Sequence, residues 1–109
     1  MSPTTIVILE GDQTGQELLA EALRVLDRSV IDVELGLERF DLSLENRRAT
    51  GNAIVQEAAE AMKRGHFGLK AATITPEEKD GVGSPNAILR KAVGGKVIVR
   101  TGRRLPRIR

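Results

Sequence analysis

Apolar side chains recur along this chain in two rhythms, and the rhythm changes at turn-forming residues. Ile6, Val7, Ile8 and Leu9 follow two threonines without interruption. A run that is apolar on both faces fits a strand buried in a parallel sheet. Glu10, Gly11 and Asp12 end it; Gly11 permits a turn, and Asp12 or Thr14 can cap a helix. Over residues 16–26 the spacing becomes helical. Leu19, Leu23 and Leu26 share a stripe widened by Leu18, Ala22 and Val25, with Glu17, Glu21 and Arg24 towards the polar side. Residues 30–40 return to a period of two, with Val33, Leu35 and Leu37 alternating with Glu34, Gly36 and Glu38. One polar face puts this strand near a sheet edge or half covered. Residues 41–52 are polar and read as a loop with one helical turn, holding the Arg47, Arg48 pair and a turn at Thr50, Gly51 and Asn52. Residues 54–63 form the second firm helix, with Ile54, Ala58, Ala61 and Met62 on one face and Gly65 placed to stop it.

A third strand is expected over residues 67–74, ended by Thr75 and Pro76 because proline cannot donate into a ladder. A charged loop over residues 77–83 leads to Ser84 and Pro85, a helix start with serine at the cap and proline at the first helical position. The helix over residues 86–93 carries Ile88, Leu89 and Ala92 on its apolar side. Gly94 and Gly95 close it. Residues 96–100 are expected as a fourth strand, and the glycine- and proline-punctuated residues 101–109 as a frayed basic tail. The order β-α-β-α-β-α-β defines an α/β protein with a mostly parallel sheet, right-handed crossovers and helices on both faces. Residues 1–109 are expected to form a single domain, without repeat or interdomain linker.

Composition narrows the chemistry. Cysteine is absent, which excludes disulfides, thiolate nucleophiles and thiolate metal sites from this segment. Phe40 and Phe67 are the only aromatic residues, so the core is aliphatic. No stretch is long and apolar enough for a membrane span, and the N-terminus lacks a signal-peptide pattern. A cytoplasmic, membrane-free protein is the expectation. Net charge is +2, but residues 100–109 hold five arginines and no acid. A basic tail suits nucleic acid or another anion, although the missing aromatic stacking residues argue against single-strand binding.

Ligands of open α/β sheets bind beyond the carboxyl ends of the strands. Four stretches fall there. Residues 10–15, with Gly11 and Gly15, are either an ordinary strand-to-helix turn or a phosphate cradle, and match neither dinucleotide fingerprint nor P-loop. Thr73 and Thr75 place hydroxyls at a strand end. Asn86 and Arg90, four apart on one helix face behind Ser84, lie near a helix start that favours anions. Arg100 ends an apolar run, and its guanidinium fork suits a carboxylate. His66 reads as a solvated helix-end residue. No catalytic triad, metal-ligand cluster or paired carboxylate is evident, so no catalytic or metal-binding residue is assigned.

The set Thr75, Pro76, then Ser84, Asn86 and Arg90 in S-x-N-x-x-x-R spacing, then Arg100 ten residues on, resembles the β-decarboxylating dehydrogenases of 2R-hydroxy acids, the isocitrate and isopropylmalate dehydrogenase family. Gly11, Asp12, Gly15 and Glu17 resemble that family's opening G-D-G-I-G-P-E, and Thr50 and Gly51 its turn before the second helix. The resemblance covers nearly the whole chain. It implies that Ser84, Asn86, Arg90 and Arg100 grip the carboxylates of a small hydroxy-polycarboxylate substrate. It implies Thr73 and Thr75 beside the nicotinamide of NAD or NADP, Mg²⁺ or Mn²⁺ as the family's metal, and a homo-oligomer.

Some residues depart from the pattern. Gln13 and Gln16 replace a glycine and a proline, and residues 76–83 are more acidic than the family's loop and one residue longer. The resemblance also implies a second domain with metal-binding aspartates, a catalytic lysine and tyrosine and an adenosine loop, none of which this segment carries. It is therefore expected to be a truncated N-terminal part of an NAD(P)-dependent oxidative decarboxylase, inactive alone. Two other readings follow from the residues: a non-catalytic self-associating or partner-binding α/β module and, more weakly, a basic-tail nucleic-acid binder. Ile88 and Leu89 lean towards an alkyl-malate over isocitrate.

Overall fold

The computed structural model describes residues 4–76 and 82–107. Most of the acidic loop at 77–83, Asp80 included, and the last two residues of the basic tail lie outside the described residues. The uninterrupted apolar run becomes β1 (Thr4–Glu10), the central strand of a three-stranded parallel sheet ordered β2-β1-β3. β2 (Leu35–Asp41) pairs along its full length, from Thr4 with Leu35 to Glu10 with Asp41. β3 (Gly68–Lys70) pairs on the other side, Val7 with Gly68 and Leu9 with Lys70.

Because side chains alternate along a strand, β1 feeds two cores at once. Val7 and Leu9 join Leu42, Val55, Ala58 and Leu89 on one face; Ile8 joins Leu19 and Ala71 on the other. The first core is closed by α4 (Ala53–Gly65) and α5 (Pro85–Ala92), the second by α1 (Gln13–Val25). Helices therefore cover both faces of a parallel sheet, as the alternating rhythm predicts. Burying each of these aliphatic side chains is worth roughly 1.5–3 kcal/mol.

The structure corrects several local expectations. Residues 96–100 form no strand: they pair with no ladder among the described residues, and Val97 and Val99 are each 80% exposed. A β-branched run becomes a strand only where a sheet edge receives it. Residues 30–31 belong to a short helix, α2 (Arg28–Ile31), whose cap Asp27 accepts hydrogen bonds from the Ser29 hydroxyl and amide at 2.6 and 2.9 Å. The hydroxyl bond, then the amide bond, hold the Asp27 carboxyl below the usual value. Strand β2 thus starts later than its alternation suggests. Phe40 packs on the α4 side, while Leu37 is exposed, because α1 packs over β1 and residues 69–71 rather than over β2.

The polar stretch after β2 is a seven-residue helix, α3 (Leu44–Thr50), with Ser43 at its cap and Gly51 at φ 57° ending it. Asn52, also left-handed at φ 67°, starts α4. That helix runs through Gly65 to His66, which takes the left-handed cap position at φ 67° and stays exposed.

Candidate functional site

The carboxyl ends of the three strands open on one side of the sheet, and loops carry the chain from there into α1, α3 and α5. The glycine turn after β1 sits tightly on this edge. A Cβ on Gly11 would lie 2.3 Å from the Ala72 carbonyl oxygen, and one on Gly15 2.5 Å from the same atom. Both glycines are needed for close approach of α1 to the segment after β3. The Gly11 N–H donates to Gln16 Oε1 at 2.9 Å, and Asp12 N–H to Ala72 O at 3.1 Å. Two donors of the turn are thereby engaged internally, and the turn packs tightly against Ala72. Gln16, a departure from the family pattern, supplies one of the acceptors.

Asp12 occupies the helix-cap position but makes no side-chain cap bond. Its carboxylate instead accepts from the Leu44 amide at 2.9 Å and the Ile74 amide at 2.8 Å. Beside it lies Arg47, a fully buried side chain on α3. Arg47 Nε donates to Leu42 O at 2.9 Å, and one terminal nitrogen donates to Gly83 O at 3.4 Å. The other donates to Ile74 O and lies 3.5 Å from Asp12 Oδ2. Asn52 adds a bond from Nδ2 to Val82 O at 2.7 Å, while its buried Oδ1 has no partner among the described residues. A buried guanidinium is tolerated when its donors are met and a counter-charge is near, and both conditions hold.

Next to this network runs a cleft of about 350 Å³ between β3 and α5. Lys70, Asn86, Arg90 and Arg100 line it, over apolar Leu89 and Ile98. Three of the four expected substrate residues are thus brought together. Arg90 is steadied by an Nε bond to Asn86 O at 3.2 Å. Ser84 does not line the cleft; it sits at the α5 cap without a side-chain cap bond, so capping does not account for it. Of the expected cofactor residues, Thr73 accepts from Lys70 Nζ at 3.0 Å, and Thr75 is exposed one residue beyond the clasped Ile74.

Lys70, which drew no attention in the sequence, is the cation that joins the two groups. Its ammonium also donates to Ala71 O at 2.8 Å. Burial lowers its pKa below the ordinary lysine value, the positive charge of Arg47 lowers it further, and Asp12 works in the opposite direction. Lys70 could have been noticed as a charge ending a strand at the ligand side of the sheet. Nothing local separates Arg47 from its neighbour Arg48.

A larger cavity, about 670 Å³, opens at the α1–α2 corner, away from the strand ends. Its polar groups are engaged with one another, Glu21 with Arg24 and Asp27 with Ser29, and it is not the candidate site. Among the described residues no group of three or more His, Cys, Asp or Glu is placed to hold a metal ion, and no helix is long and apolar enough to cross a membrane.

The fold is that of an α/β protein with an open parallel sheet and a cation-lined cleft along the β3 edge, between β3 and α5. The family model described as isocitrate/isopropylmalate dehydrogenase matches residues 5–108, and the chain belongs to that family. It is 37% identical over 100 residues to the mitochondrial isocitrate dehydrogenase [NADP] of Saccharomyces cerevisiae, covering 84% of this chain and 23% of that protein. The corresponding Aspergillus niger enzyme is also 37% identical over 100 residues, with 20% of its length covered. The cytosolic isocitrate dehydrogenase [NADP] of Arabidopsis thaliana is 36% identical over 106 residues, with 24% of its length covered. The chain thus spans about a fifth to a quarter of these curated relatives.

Proposed function

We propose that this segment is the N-terminal part of an isocitrate dehydrogenase-type, NAD(P)-dependent oxidative decarboxylase and supplies the wall that grips the substrate's carboxylates. The observation that carries the reading is the convergence of Asn86, Arg90, Arg100 and Lys70 on one cleft between β3 and α5. Three cations and an amide over an apolar floor suit a small polyanion, since guanidinium forks pair with carboxylates. Ser84 extends the same grip from the start of α5. Isocitrate is the substrate class we favour over an alkyl-malate, because the matched relatives are named isocitrate dehydrogenases and Ile88 packs into the core.

Thr73 and Thr75 are proposed to face the nicotinamide. NADP is favoured by the relatives' names, and Mg²⁺ or Mn²⁺ would polarise the substrate hydroxyl. The described residues do not assemble a metal site, so metal and proton-transfer groups are assigned to other parts of a family-length protein. Residues 1–109 are read as one α/β unit with a basic tail, oligomeric in its working form and cytoplasmic. By itself the unit binds substrate and does not turn it over.

The test is titration of the 109-residue chain with isocitrate, followed by side-chain and amide signals. Arg90, Arg100 and Ser84 are expected to shift at millimolar isocitrate, and Arg90→Ala to abolish the response. No perturbation of these three residues at that concentration would end the half-site reading.

The exposed Val97, Ile98 and Val99 support a second reading, self-association of a non-catalytic module. A clean monomer in sedimentation at high concentration would count against it.

A further inference from the structure

Two loops carry Thr73, Thr75 and Ser84 of the residues proposed for the ligands, and the second leads into the helix that bears Asn86 and Arg90. Residues 73–75 follow β3, and residues 82–84 lead into α5. They are separate in sequence, yet both are held by one side chain. Arg47 donates to Ile74 O in the first and Gly83 O in the second, while its Nε is fixed to Leu42 O. Asp12 completes the clasp by accepting the Ile74 amide and approaching the same guanidinium.

We propose that Arg47, with Asp12, is a positioning residue that couples the 73–75 loop to the 82–84 loop, so that displacing one displaces the other. The physical basis is the guanidinium itself. It is planar, and its donors stand in a fixed fork, so the directions in which it meets three carbonyls are not independent. Arg47 is wholly buried, and a loop that moved away would strand a donor without water to replace the carbonyl. The cheaper response is for the fork to follow, carrying the second loop with it. A lysine ammonium, a compact point charge, offers no such rigid span.

The naming of the ligands rests on the proposed function, but the coupling itself needs no ligand. The Asn52 side chain provides a handle on one of the two loops, because it bonds Val82 O and the residue stands at φ 67°, a conformation glycine accepts freely. The experiment is a double-mutant cycle on the 109-residue chain, read from the backbone amide signals of Thr73, Ile74 and Thr75. Asn52→Gly removes only the side-chain bond to the 82–84 loop and keeps the backbone N–H that donates to Arg47 O; it is expected to shift these signals, and the shift should vanish in the Arg47→Lys background. Arg47→Lys keeps charge and stem, so unchanged amide signals at Val7, Ile8 and Leu9 will show that the sheet is intact. If Asn52→Gly leaves residues 73–75 unmoved, or if its effect survives undiminished in Arg47→Lys, the coupling is refuted. In a second arm, isocitrate affinity should fall about tenfold in Arg47→Lys with the sheet signals unchanged, within the range usual for coupled sites; unaltered affinity refutes the positioning role. Failure of the unaltered chain to bind isocitrate would sink the substrate reading alone, and the ligand-free cycle would still decide the coupling.

Discussion

Lys70 shows how a residue's charge is set by neighbours distant in sequence. Burial and the Arg47 charge both disfavour its ammonium, and Asp12 favours it. Removing Arg47's charge with Arg47→Met should therefore raise the Lys70 pKa, and Asp12→Asn should lower it further, both readable by NMR titration of the Lys70 side chain. The linkage sign follows from the direction of the shift. Between the lowered folded value and the ordinary lysine value of 10.5, the unfolded chain binds more protons than the folded one. Stability contributed by Lys70 therefore rises with pH through that window and is complete above it. Relative to Lys70→Met, the unaltered protein should gain in urea midpoint as pH rises towards 10.5. Arg47 teaches a related lesson. Its role was illegible in the sequence because Arg47 and Arg48 look alike there, and only the packing of α3 decides which one is buried.

At the scale of elements, close packing decides between opposing tendencies. In a helix, replacing glycine by alanine gains roughly 1 kcal/mol of propensity. At Gly15 the added Cβ would stand 2.5 Å from Ala72 O and 2.8 Å from Ala72 Cβ. Overpacking of that kind costs about 1–3 kcal/mol, so Gly15→Ala should destabilise the protein, seen as a lowered urea midpoint. The same scale explains which elements were legible. β1, α1, α4 and α5 carry long or regular apolar spacing and appear where that spacing puts them, within a few residues. α3 was hidden because it is polar along most of its length and buries an arginine where a helix of this size would usually bury an aliphatic side chain. Residues 96–100 have the composition of a strand but join neither free edge of the sheet, and among the described residues they pair with no strand.

For the whole molecule, that unjoined run has a consequence. Val97, Ile98 and Val99 stand exposed, and the outer edges of β2 and β3 pair with no further strand among the described residues. Unpaired edges and β-branched surface invite chain-to-chain pairing. The 109-residue chain is expected to sediment as a concentration-dependent oligomer, and Val97→Lys with Val99→Lys to shift it towards monomer. A charged pair that leaves the association unchanged would place the contact elsewhere.

The sequence by itself determined the α/β class, a first strand buried on both faces, helices on both faces of the sheet and the family. Each depends on local periodicity or fixed spacing, which survive in one dimension. Only the tertiary structure decided how the site is assembled. It drew Asn86, Arg90 and Arg100 into one cleft with an unforeseen Lys70, left Ser84 outside it, and converted Asp12 from a helix cap into the partner of a buried arginine. The physical reason is that polar groups in a closed interior must find partners wherever the fold brings them. Which carbonyl meets which guanidinium is settled by the meeting of loops far apart in the chain.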